Sequence, residues 1–335
     1  MQAIAFRVDG GQGVGMGHII RCSALGQELK RMGCEVFFIS AVEEGINTLK
    51  EQGFEVLCLK TTETNISETL NFINDKHADI LIVDSYNVSQ DYFDKLKKDI
   101  RKLVYIDDVN AFNYNIDILI NYSMNTKEID YKNLDKRVKL LLGPRYAILR
   151  EQYQNIPSRK VRENVSEIML TSGATDNFNT IPLFLKAILD DNQLSSKKIH
   201  VVIGNSFNNT EVIKDIALKN RNIILHQNVS DLSNIMLSSD LAISAGGSTL
   251  YELCACGMPA LSYIIAKNQE KSVQALNKEG IIECLGWYEK LTTNIIAEKI
   301  KSICINYKKR QELSLKMQSL VDGKGAKRAA EEIIL

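Results

Sequence analysis

A glycine-rich segment that ends in a histidine is the part of this 335-residue sequence best suited to chemistry. Residues 11–18 read Gly-Gln-Gly-Val-Gly-Met-Gly-His, and they follow the apolar run Ala-Ile-Ala-Phe at positions 3–6. Glycines let the backbone turn tightly and let a ligand approach main-chain N–H groups. His18 stands where a predicted strand gives way to a helix. Since imidazole titrates near neutral pH, His18 is a candidate acid or base, and the alternative is a turn in which it only caps the helix.

Two common glycine-loop functions are disfavoured by the details of this segment. A Gly-x-Gly-x-x-Gly fingerprint would need glycine at Met16, and the second predicted strand ends at Ser40 without an acidic residue to hold an adenosine ribose. The sequence also lacks the Gly-Lys-Ser/Thr of a P-loop. The loop therefore does not indicate a dinucleotide or nucleoside-triphosphate site.

A second glycine segment lies in the other half of the chain. Residues 244–252 read Ser-Ala-Gly-Gly-Ser-Thr-Leu-Tyr-Glu, after one predicted strand and at the start of a helix. A helix N-terminus offers free N–H groups and a positive dipole end to a phosphate, so Gly247, Ser248 and Thr249 are candidates for binding a phosphate, with capping of the helix by Ser248 or Thr249 as the alternative. The Glu252 carboxylate can accept two hydrogen bonds from a ribose diol, unless it only complements the helix dipole.

Two further loops of this half follow predicted strands. Residues 173–175 precede Asp176, which would cap the next helix if this were an ordinary strand-to-helix loop. Residues 267–270 read Lys-Asn-Gln-Glu, and helix capping would explain the asparagine equally well. Because three such loops share one predicted sheet edge, we predict a ligand site there. The members from these two loops are Gly173, Ala174, Thr175, Asn268 and Gln269.

Polar residues also end strands of the first half. Asp84 and Tyr86 are candidates for lining the site opposite the nucleotide, whereas Asp107 and Asp108 are more typical of a solvated turn. The remaining histidines stand at helix ends or in strands, where structural roles are expected. These three residues are His77, His200 and His226.

Composition narrows the class of protein. Lys plus Arg and Asp plus Glu both number 41, so the formal charge is zero, which argues against a broad nucleic-acid footprint. No run reaches the roughly 18 apolar residues of a membrane span, and the first residues do not resemble a signal peptide, so a cytoplasmic location is expected. The seven cysteines are scattered and lack metal-ligand spacing. We expect all of them to be buried and reduced.

Short apolar runs alternate with amphipathic helical patterns along the chain, which predicts parallel sheets covered on both faces. The predicted strands span residues 2–8, 35–40, 55–59, 80–84, 102–106, 116–120, 139–142, 167–171, 199–203, 223–225, 241–244 and 260–263. The alternation pauses near Gly143-Pro144 and then restarts. We therefore predict a domain at residues 1–143, a connector at 144–163, and a second domain at 164–335 with a helical tail.

Taken together, these motifs resemble a known family. The sequence is similar to the UDP-2,4-diacetamido-2,4,6-trideoxy-β-L-altropyranose hydrolases of pseudaminic acid biosynthesis, which are related to GT-B glycosyltransferases. The resemblance rests on Gly-Met-Gly-His-Ile at 15–19, Asp-Ser-Tyr at 84–86, Gly-Pro-Arg-Tyr-Ala-Ile-Leu-Arg-Glu at 143–151, Gly-Ala-Thr-Asp at 173–176, Ile-Ser-Ala at 243–245 and Lys-Asn-Gln-Glu at 267–270.

The resemblance implies an α/β protein of GT-B fold, with two Rossmann-like domains whose parallel sheets face an interdomain cleft. It implies that the second domain holds UDP, with Glu252 on the uridine ribose, and that the sugar reaches the first domain. His18 takes the place of the family's catalytic histidine. By the same resemblance, Gly15, Gly17 and Arg150 join the candidates for the sugar side of the site.

The expected reaction is hydrolysis at the sugar C1 with anomeric inversion. Neutral His18 would remove a proton from water while main-chain N–H groups stabilise the departing UDP, so neither a metal nor a cofactor is expected. The stretch 252–259, Glu-Leu-Cys-Ala-Cys-Gly-Met-Pro, resembles the transferase relatives more closely, and spore-coat polysaccharide proteins share the overall pattern. An inverting glycosyltransferase is therefore the main alternative, and a nucleotide-sugar sensor without turnover is a distant one.

Overall fold

The computed structural model describes residues 2–11, 15–61, 66–129, 131, 134–204, 206–227, 229 and 231–335. It divides into two compact units. The first comprises Met1–Glu151 together with Gly323–Leu335, and the second comprises Gln152–Asp322. In both units strands alternate with helices in the chain, as the hydrophobic pattern predicts.

The first unit is built on a parallel sheet. Within its described residues the sheet has seven strands in the order β3-β2-β1-β4-β5-β6-β7. The inner strands β1 and β4 are buried along their whole length, because helices cover both faces of such a sheet. The strands are β1 Ala3–Val8, β2 Glu35–Ser40, β3 Glu55–Cys58, β4 Ile80–Asp84, β5 Lys102–Ile106, β6 Ile118–Asn121 and β7 Lys139–Leu142.

The helices of the first unit are amphipathic and turn their apolar faces to this sheet. The longest of them, α1, starts directly after the glycine segment and ends at two basic residues, which suit the negative end of a helix dipole. The helices are α1 Gly17–Arg31, α2 Glu43–Glu51, α3 Ile66–Asp75, α4 Gln90–Leu96 and, from the end of the chain, α12 Gly325–Ile334.

The second unit repeats the arrangement. Its described residues form a parallel sheet of six strands in the order β10-β9-β8-β11-β12-β13. The strands are β8 Glu167–Thr171, β9 Lys198–Ile203, β10 Ile223–Gln227, β11 Leu241–Ala245, β12 Ala260–Ile264 and β13 Glu283–Trp287. The helices are α5 Thr180–Leu189, α6 Thr210–Lys219, α7 Ser233–Ser238, α8 Thr249–Ala255, α9 Lys267–Lys278, α10 Thr293–Ile305 and α11 Tyr307–Leu320.

The predicted domain boundaries differ from the observed units at the end of the chain. The sequence assigns the whole helical tail to the second domain, whereas α12 belongs to the first unit. Its apolar face is buried there through Ala326, Ala329, Ala330 and Ile333. The side chain of Lys102 also donates to the Ile333 carbonyl at 2.8 Å. The predicted connector, residues 144–163, is divided between the two units, because the first unit extends to Glu151 and the second begins at Gln152.

The strand predictions hold with shifts of one or two residues, except that β13 was missed. The expectation for the cysteines is wrong in part. Four of them are buried, but Cys58 is exposed and Cys284 and Cys304 are only half-buried. In the described part of the chain, no helix combines the length and apolar character needed to span a membrane.

Candidate functional site

The first unit has a switch point between β1 and β4. These two parallel strands are neighbours, with Val8 opposite Asp84, and the strand order runs outward from them in both directions. Ligands of doubly wound sheets bind at such a point, beyond the carboxyl ends of the strands. The chain after β1 leads to His18, the second residue of α1, and β4 ends at Asp84. The topology thus brings two predicted site residues together.

His18 is bound to Asp84 through one ring nitrogen. Its Nδ1 lies 2.6 Å from Oδ1 of Asp84, and the two residues are 8% and 1% exposed. Burial favours the neutral acid, but the Arg21 guanidinium and then His18 outweigh burial and hold the pKa of Asp84 well below its usual range. Since Asp84 is a carboxylate and can only accept, the contact assigns the proton to Nδ1 of His18. The Nε2 atom is then the free basic nitrogen.

Arg21 grips the same carboxylate from the next turn of α1. Its Nε donates to Oδ2 at 2.6 Å and its Nη2 donates to Oδ1 at 2.5 Å, a bidentate pair. Nη2 also lies 3.0 Å from Nδ1 of His18, and Nη1 donates to the Tyr122 hydroxyl at 3.3 Å. The Cys22 thiol donates to Oδ2 at 3.2 Å. We call these five residues, His18, Arg21, Cys22, Asp84 and Tyr122, the His18 network.

Sequence reasoning found two members of this network and missed three. Arg21 could have been recognised, because residues three apart on a helix share a face, and an arginine beside a buried aspartate forms a pair. Asp84 itself was expected to line the sugar site. It is instead almost fully enclosed and its oxygens are all engaged, so it acts on the ring of His18 rather than on a ligand.

Tyr86 is the exposed aromatic residue beside His18. The two rings meet edge to face, with centroids 4.9 Å apart, and Tyr86 is 47% exposed. Its hydroxyl donates to Asp108 Oδ2 at 2.8 Å. Burial and the negative charge of Asp108 raise the pKa of Tyr86. Tyr86 therefore stays a neutral hydroxyl at physiological pH, and its contact with the sugar stays a prediction.

Asp107 and Asp108 differ in their surroundings. Asp107 is buried and accepts from the Val109 and Asn110 main chain, at 3.0 Å each, and from the hydroxyls of two tyrosines. It therefore holds the loop after β5 in shape, which places it outside the solvated turn that the sequence suggests. Asp108, held next to it, is the partner of Tyr86.

The glycine segment is described only at its ends, since residues 12–14 lie outside the described residues. Gly11 and Gly15 exchange main-chain hydrogen bonds of 3.3 and 2.8 Å, which closes the loop. Gly15 has φ of +83°, a conformation that favours glycine. Gly17 opens α1 and is exposed. Arg150 is half-buried in the first unit, and its part in sugar binding stays a prediction.

The second unit has its own switch point, between β8 and β11. The predicted loops 173–175 and 247–249 follow these two neighbouring strands. Behind the first loop, a Cβ on Gly204 would come within 2.4 Å of the carbonyl oxygens of Gly173 and Ala174, so only glycine fits there. The sequence analysis missed this supporting residue.

Asp176 occupies the N-terminus of the helix after the first loop. Its oxygens accept from the Thr180 main chain at 2.8 Å, the Ile181 main chain at 3.0 Å and the Asn209 amide at 2.8 Å. The carboxylate thus already satisfies the first N–H groups of α5. The N-cap residue of α5 is Asn179, so Asp176 is not the N-cap that the alternative expected, although its carboxylate accepts from the first N–H groups of the helix. Phosphate binding by residues 173–175 stays a prediction.

The loop after β11 leads into α8 with open space around it. A Cβ on Gly247 would meet nothing within 4 Å, and Ser248 is exposed without capping the helix. Glu252 lies in the first turn of α8 and is 9% exposed. These positions agree with a loop open to a ligand, while nucleotide binding by this loop stays a prediction.

The last predicted pair stands at the start of α9. Asn268 is exposed, and α9 has no side-chain cap, so Asn268 does not cap it. Gln269 is partly structural, because its Oε1 accepts from the Ile265 main chain at 3.1 Å. A Cβ on Gly246 would lie 2.3 Å from Val273, so this glycine lets α9 pack close to the loop after β11.

The other histidines have partners or surroundings away from these loops. His200 and His226 are joined at 2.9 Å on neighbouring strands, and His200 also lies 2.9 Å from a carboxylate oxygen of Glu167. His77 is exposed after α3 with φ of +50°. His200 and His226 lie within β9 and β10 and not in the loops at the ends of these strands, and structural roles for all three histidines stay a prediction.

Comparison with known proteins places this geometry in a family context. Residues 167–333, which begin at the first residue of β8, match one protein family. The matching model is that of the glycosyltransferase family 28 C-terminal domain. The Acinetobacter baumannii MurG crystal structure is similar at a TM-score of 0.74 and 11% identity, over 100% of this chain and 99% of that one. This likeness confirms the predicted GT-B fold class.

Curated relatives have a sequence identity to this chain of 25–26%. The Bacillus subtilis spore coat polysaccharide biosynthesis protein SpsG is 25% identical over 325 residues, or 95% of this chain and 93% of its own. The Campylobacter jejuni UDP-2,4-diacetamido-2,4,6-trideoxy-β-L-altropyranose hydrolase is 26% identical over 282 residues, or 83% and 97%. The predicted resemblance to these two groups is thereby confirmed.

A third relative is longer. An uncharacterised protein of Methanocaldococcus jannaschii is 26% identical over 270 residues, which are 77% of this chain but 54% of that protein. This chain therefore spans about half the length of that relative.

Proposed function

We propose that the protein hydrolyses a UDP-activated diacetamido-trideoxy sugar at C1, releasing UDP and the free sugar for nonulosonic (pseudaminic) acid biosynthesis. The observation that carries the proposal is the His18–Asp84 contact of 2.6 Å, which leaves Nε2 of His18 as a basic nitrogen at a sheet switch point. The likeness to the Campylobacter hydrolase names the substrate class.

In this reaction His18 is the general base. Water attacks C1 as Nε2 takes one of its protons, the bond between C1 and the phosphate oxygen breaks, and UDP departs with the electron pair. Because the water enters on the face opposite the leaving group, the product anomer is inverted. Tyr86 would contact the sugar from beside the histidine ring, at the position where the structure leaves it exposed.

The second unit supplies the nucleotide site in this proposal. Open main-chain N–H groups of the two glycine loops would stabilise the negative charge of UDP as it leaves. The open space at Gly247 and the exposure of Ser248 support this role. The residues assigned to the nucleotide are Gly173, Ala174, Thr175, Gly247, Ser248, Thr249 and Glu252, with Asn268 and Gln269 nearby in the fold.

An inverting glycosyltransferase is the second candidate. Two observations favour it: residues 167–333 match the model of the glycosyltransferase family 28 C-terminal domain, and SpsG is similar over nearly the whole chain. The same His18 would then deprotonate a hydroxyl of an acceptor sugar instead of water. The donor and the first chemical step would otherwise be the same.

The two candidates separate in a single experiment without acceptor. Purified protein is incubated with UDP-2,4-diacetamido-2,4,6-trideoxy-β-L-altropyranose in buffer, UDP is measured by chromatography, and the anomer of the free sugar is followed by proton NMR. The hydrolase predicts catalytic UDP release and an inverted first product. Binding of the donor with no release above the uncatalysed rate would contradict the hydrolase and leave the transferase.

A further inference from the structure

The ring of His18 has charged neighbours of both signs at hydrogen-bond distance. Asp84 lies 2.6 Å from Nδ1, and Nη2 of Arg21 lies 3.0 Å from the same atom. A base that is held only by a carboxylate gains proton affinity from that negative charge. Here a guanidinium stands beside the carboxylate, so the electrostatic balance at His18 depends on a residue that would not touch substrate.

We propose that Arg21 is a positioning residue for His18: by its bidentate grip on Asp84 it fixes the Nδ1–H tautomer of the ring and so leaves the lone pair on Nε2. The inference rests on the proposed function, since it concerns the same histidine. It assigns a role to a side chain that the comparisons and the sequence motifs leave without one.

The geometry fixes the tautomer through competition for one carboxylate. Arg21 uses Nε and Nη2, at 2.6 and 2.5 Å, and thereby sets the plane of the Asp84 carboxylate. Oδ1 then faces Nδ1 of His18. Tyr122 holds the guanidinium from its other side at 3.3 Å. A ring with its proton on Nε2 could accept from Nη2 of Arg21 at 3.0 Å, but its Nδ1 lone pair would then face the charged Oδ1 at 2.6 Å. The shorter contact is with the carboxylate, so the arrangement selects Nδ1–H.

The charges around His18 come from several elements. On α1 they are Arg21 and the Cys22 thiol, whose pKa is raised by burial and by Asp84, so that it stays neutral. The end of β4 supplies Asp84. The loop after β4 brings Tyr86, which is tied to Asp108 of the loop after β5. Removing the Arg21 side chain from this set frees the Asp84 carboxylate to rotate, so the contact that selects the Nδ1–H tautomer is no longer held in place.

Histidine NMR on the full-length protein tests this without any substrate. The protein is labelled with ¹⁵N-histidine, and long-range ¹H–¹⁵N spectra give the tautomer and the pKa of each ring. The His18→Gln variant identifies the His18 signals by their loss. Three variants are compared with the unsubstituted protein: Arg21→Gln, which removes the charge, Arg21→Lys, which keeps it, and Asp84→Asn, which removes the carboxylate.

We expect the unsubstituted protein to show the Nδ1–H tautomer. Arg21→Gln, which releases the plane of the carboxylate, should increase the Nε2–H tautomer, and Arg21→Lys, which keeps a charged donor but not the two-point contact, should do so less. Asp84→Asn weakens the acceptor for Nδ1–H and should increase the Nε2–H tautomer most. In the active enzyme, kcat should fall in the same order while KM changes little.

Two results would overturn the inference: an Nε2–H tautomer in the unsubstituted protein, or an unchanged tautomer ratio in folded Arg21→Gln. If circular dichroism shows Arg21→Gln to be unfolded, Asp84→Asn decides, because an unchanged tautomer ratio there contradicts the network. Absence of hydrolase activity would contradict the proposed function but not the role of Arg21. A protein that shows the expected tautomer and shifts, but no UDP release, retains the network and loses the proposed function.

Discussion

At the scale of single residues, the site depends on how one carboxylate is shared. Asp84 could have been a ligand-binding group, but three donors and the imidazole surround it, and it is 1% exposed. The negative charge of Asp84 is therefore compensated by groups of the protein itself. What remains available to a substrate is the far nitrogen of His18 and the exposed ring of Tyr86.

The first prediction concerns His18 as a base. His18→Gln keeps a polar side chain of similar size but cannot accept a proton, so turnover of the UDP-sugar should fall by about 10²-fold or more. UDP affinity, measured by calorimetry, should stay within about twofold, because the nucleotide loops lie in the other unit. His226→Gln is the matched control, and its turnover should be near that of the unsubstituted enzyme. Normal turnover in His18→Gln would remove the base from the mechanism.

The second prediction concerns stability in acid. The pKa of Asp84 in the folded protein lies below the value of about 3.9 of an unfolded aspartate, so its ionised form stabilises the fold above that pH. That contribution should be lost progressively as the pH falls from about 5 toward 2. Asp84→Asn leaves Arg21 buried without its counter-charge, and the free energy of unfolding at pH 7 should drop by about 3 kcal/mol.

Urea denaturation at a series of pH values measures this difference. The gap between Asp84→Asn and the unsubstituted protein should be widest near neutral pH and should close in acid. A gap that is constant from pH 7 to pH 3 would mean that the stabilising charge is not that of Asp84.

The sequence was sufficient to predict residues of this site but not the hydrogen bonds and ion pairs between them. Glycine spacing and strand ends located His18, Asp84 and Tyr86, because those signals are local. The pairing of Asp84 with Arg21 joins positions 63 residues apart, and only the register of β1 beside β4 brings them together. Asp107 shows the same limit, since the tyrosine hydroxyls that bury its charge come from later in the chain.

At the scale of elements, the two switch points differ in the side chain that lies at the start of the following helix. In the first unit the residue at the helix start is a titratable ring, whereas in the second unit an aspartate closes the N-terminus of α5. The helix after β11 is left without a side-chain cap. Because Asp176 satisfies the first N–H groups of α5, the proposed UDP contact in this loop falls to the main chain of residues 173–175, whereas the start of α8 has no such internal acceptor.

The third prediction tests the cap. Asp176→Ala removes acceptors for the Thr180 and Ile181 main chain and for Asn209, so the second unit should lose about 2 kcal/mol of stability. The single tryptophan, Trp287, lies in β13 of this unit, so its fluorescence in urea reports on the unit directly. Asp190→Ala, at the exposed far end of the same helix, is the control and should leave the midpoint in place. Equal midpoints for the two variants would contradict the capping role.

At the scale of the whole molecule, the alternation of strands and helices was sufficient to predict two parallel α/β domains. It could not predict β13, because a half-buried strand with Gly286 at its fourth position lacks a continuous apolar run. Nor could it place α12. Helical periodicity shows that a helix has an apolar face, but the unit that buries this face is a matter of tertiary packing. Here the end of the chain returns to the first unit.

The last prediction tests that return. A Cβ on Gly325, the first residue of α12, would lie 2.2 Å from the Ala147 carbonyl oxygen and 2.6 Å from its nitrogen, and main-chain atoms there cannot move aside easily. Alanine normally stabilises a helix relative to glycine, so a loss of stability in Gly325→Ala would report the clash alone. We expect a loss of about 1–3 kcal/mol in the first unit, seen as an earlier fall of circular dichroism in urea while Trp287 fluorescence keeps its midpoint. Gly247→Ala makes the same change where nothing lies within 4 Å, and it should leave both midpoints unchanged. If Gly325→Ala behaves like Gly247→Ala, α12 does not pack against Ala147 in solution, and the last helix would have to be assigned elsewhere.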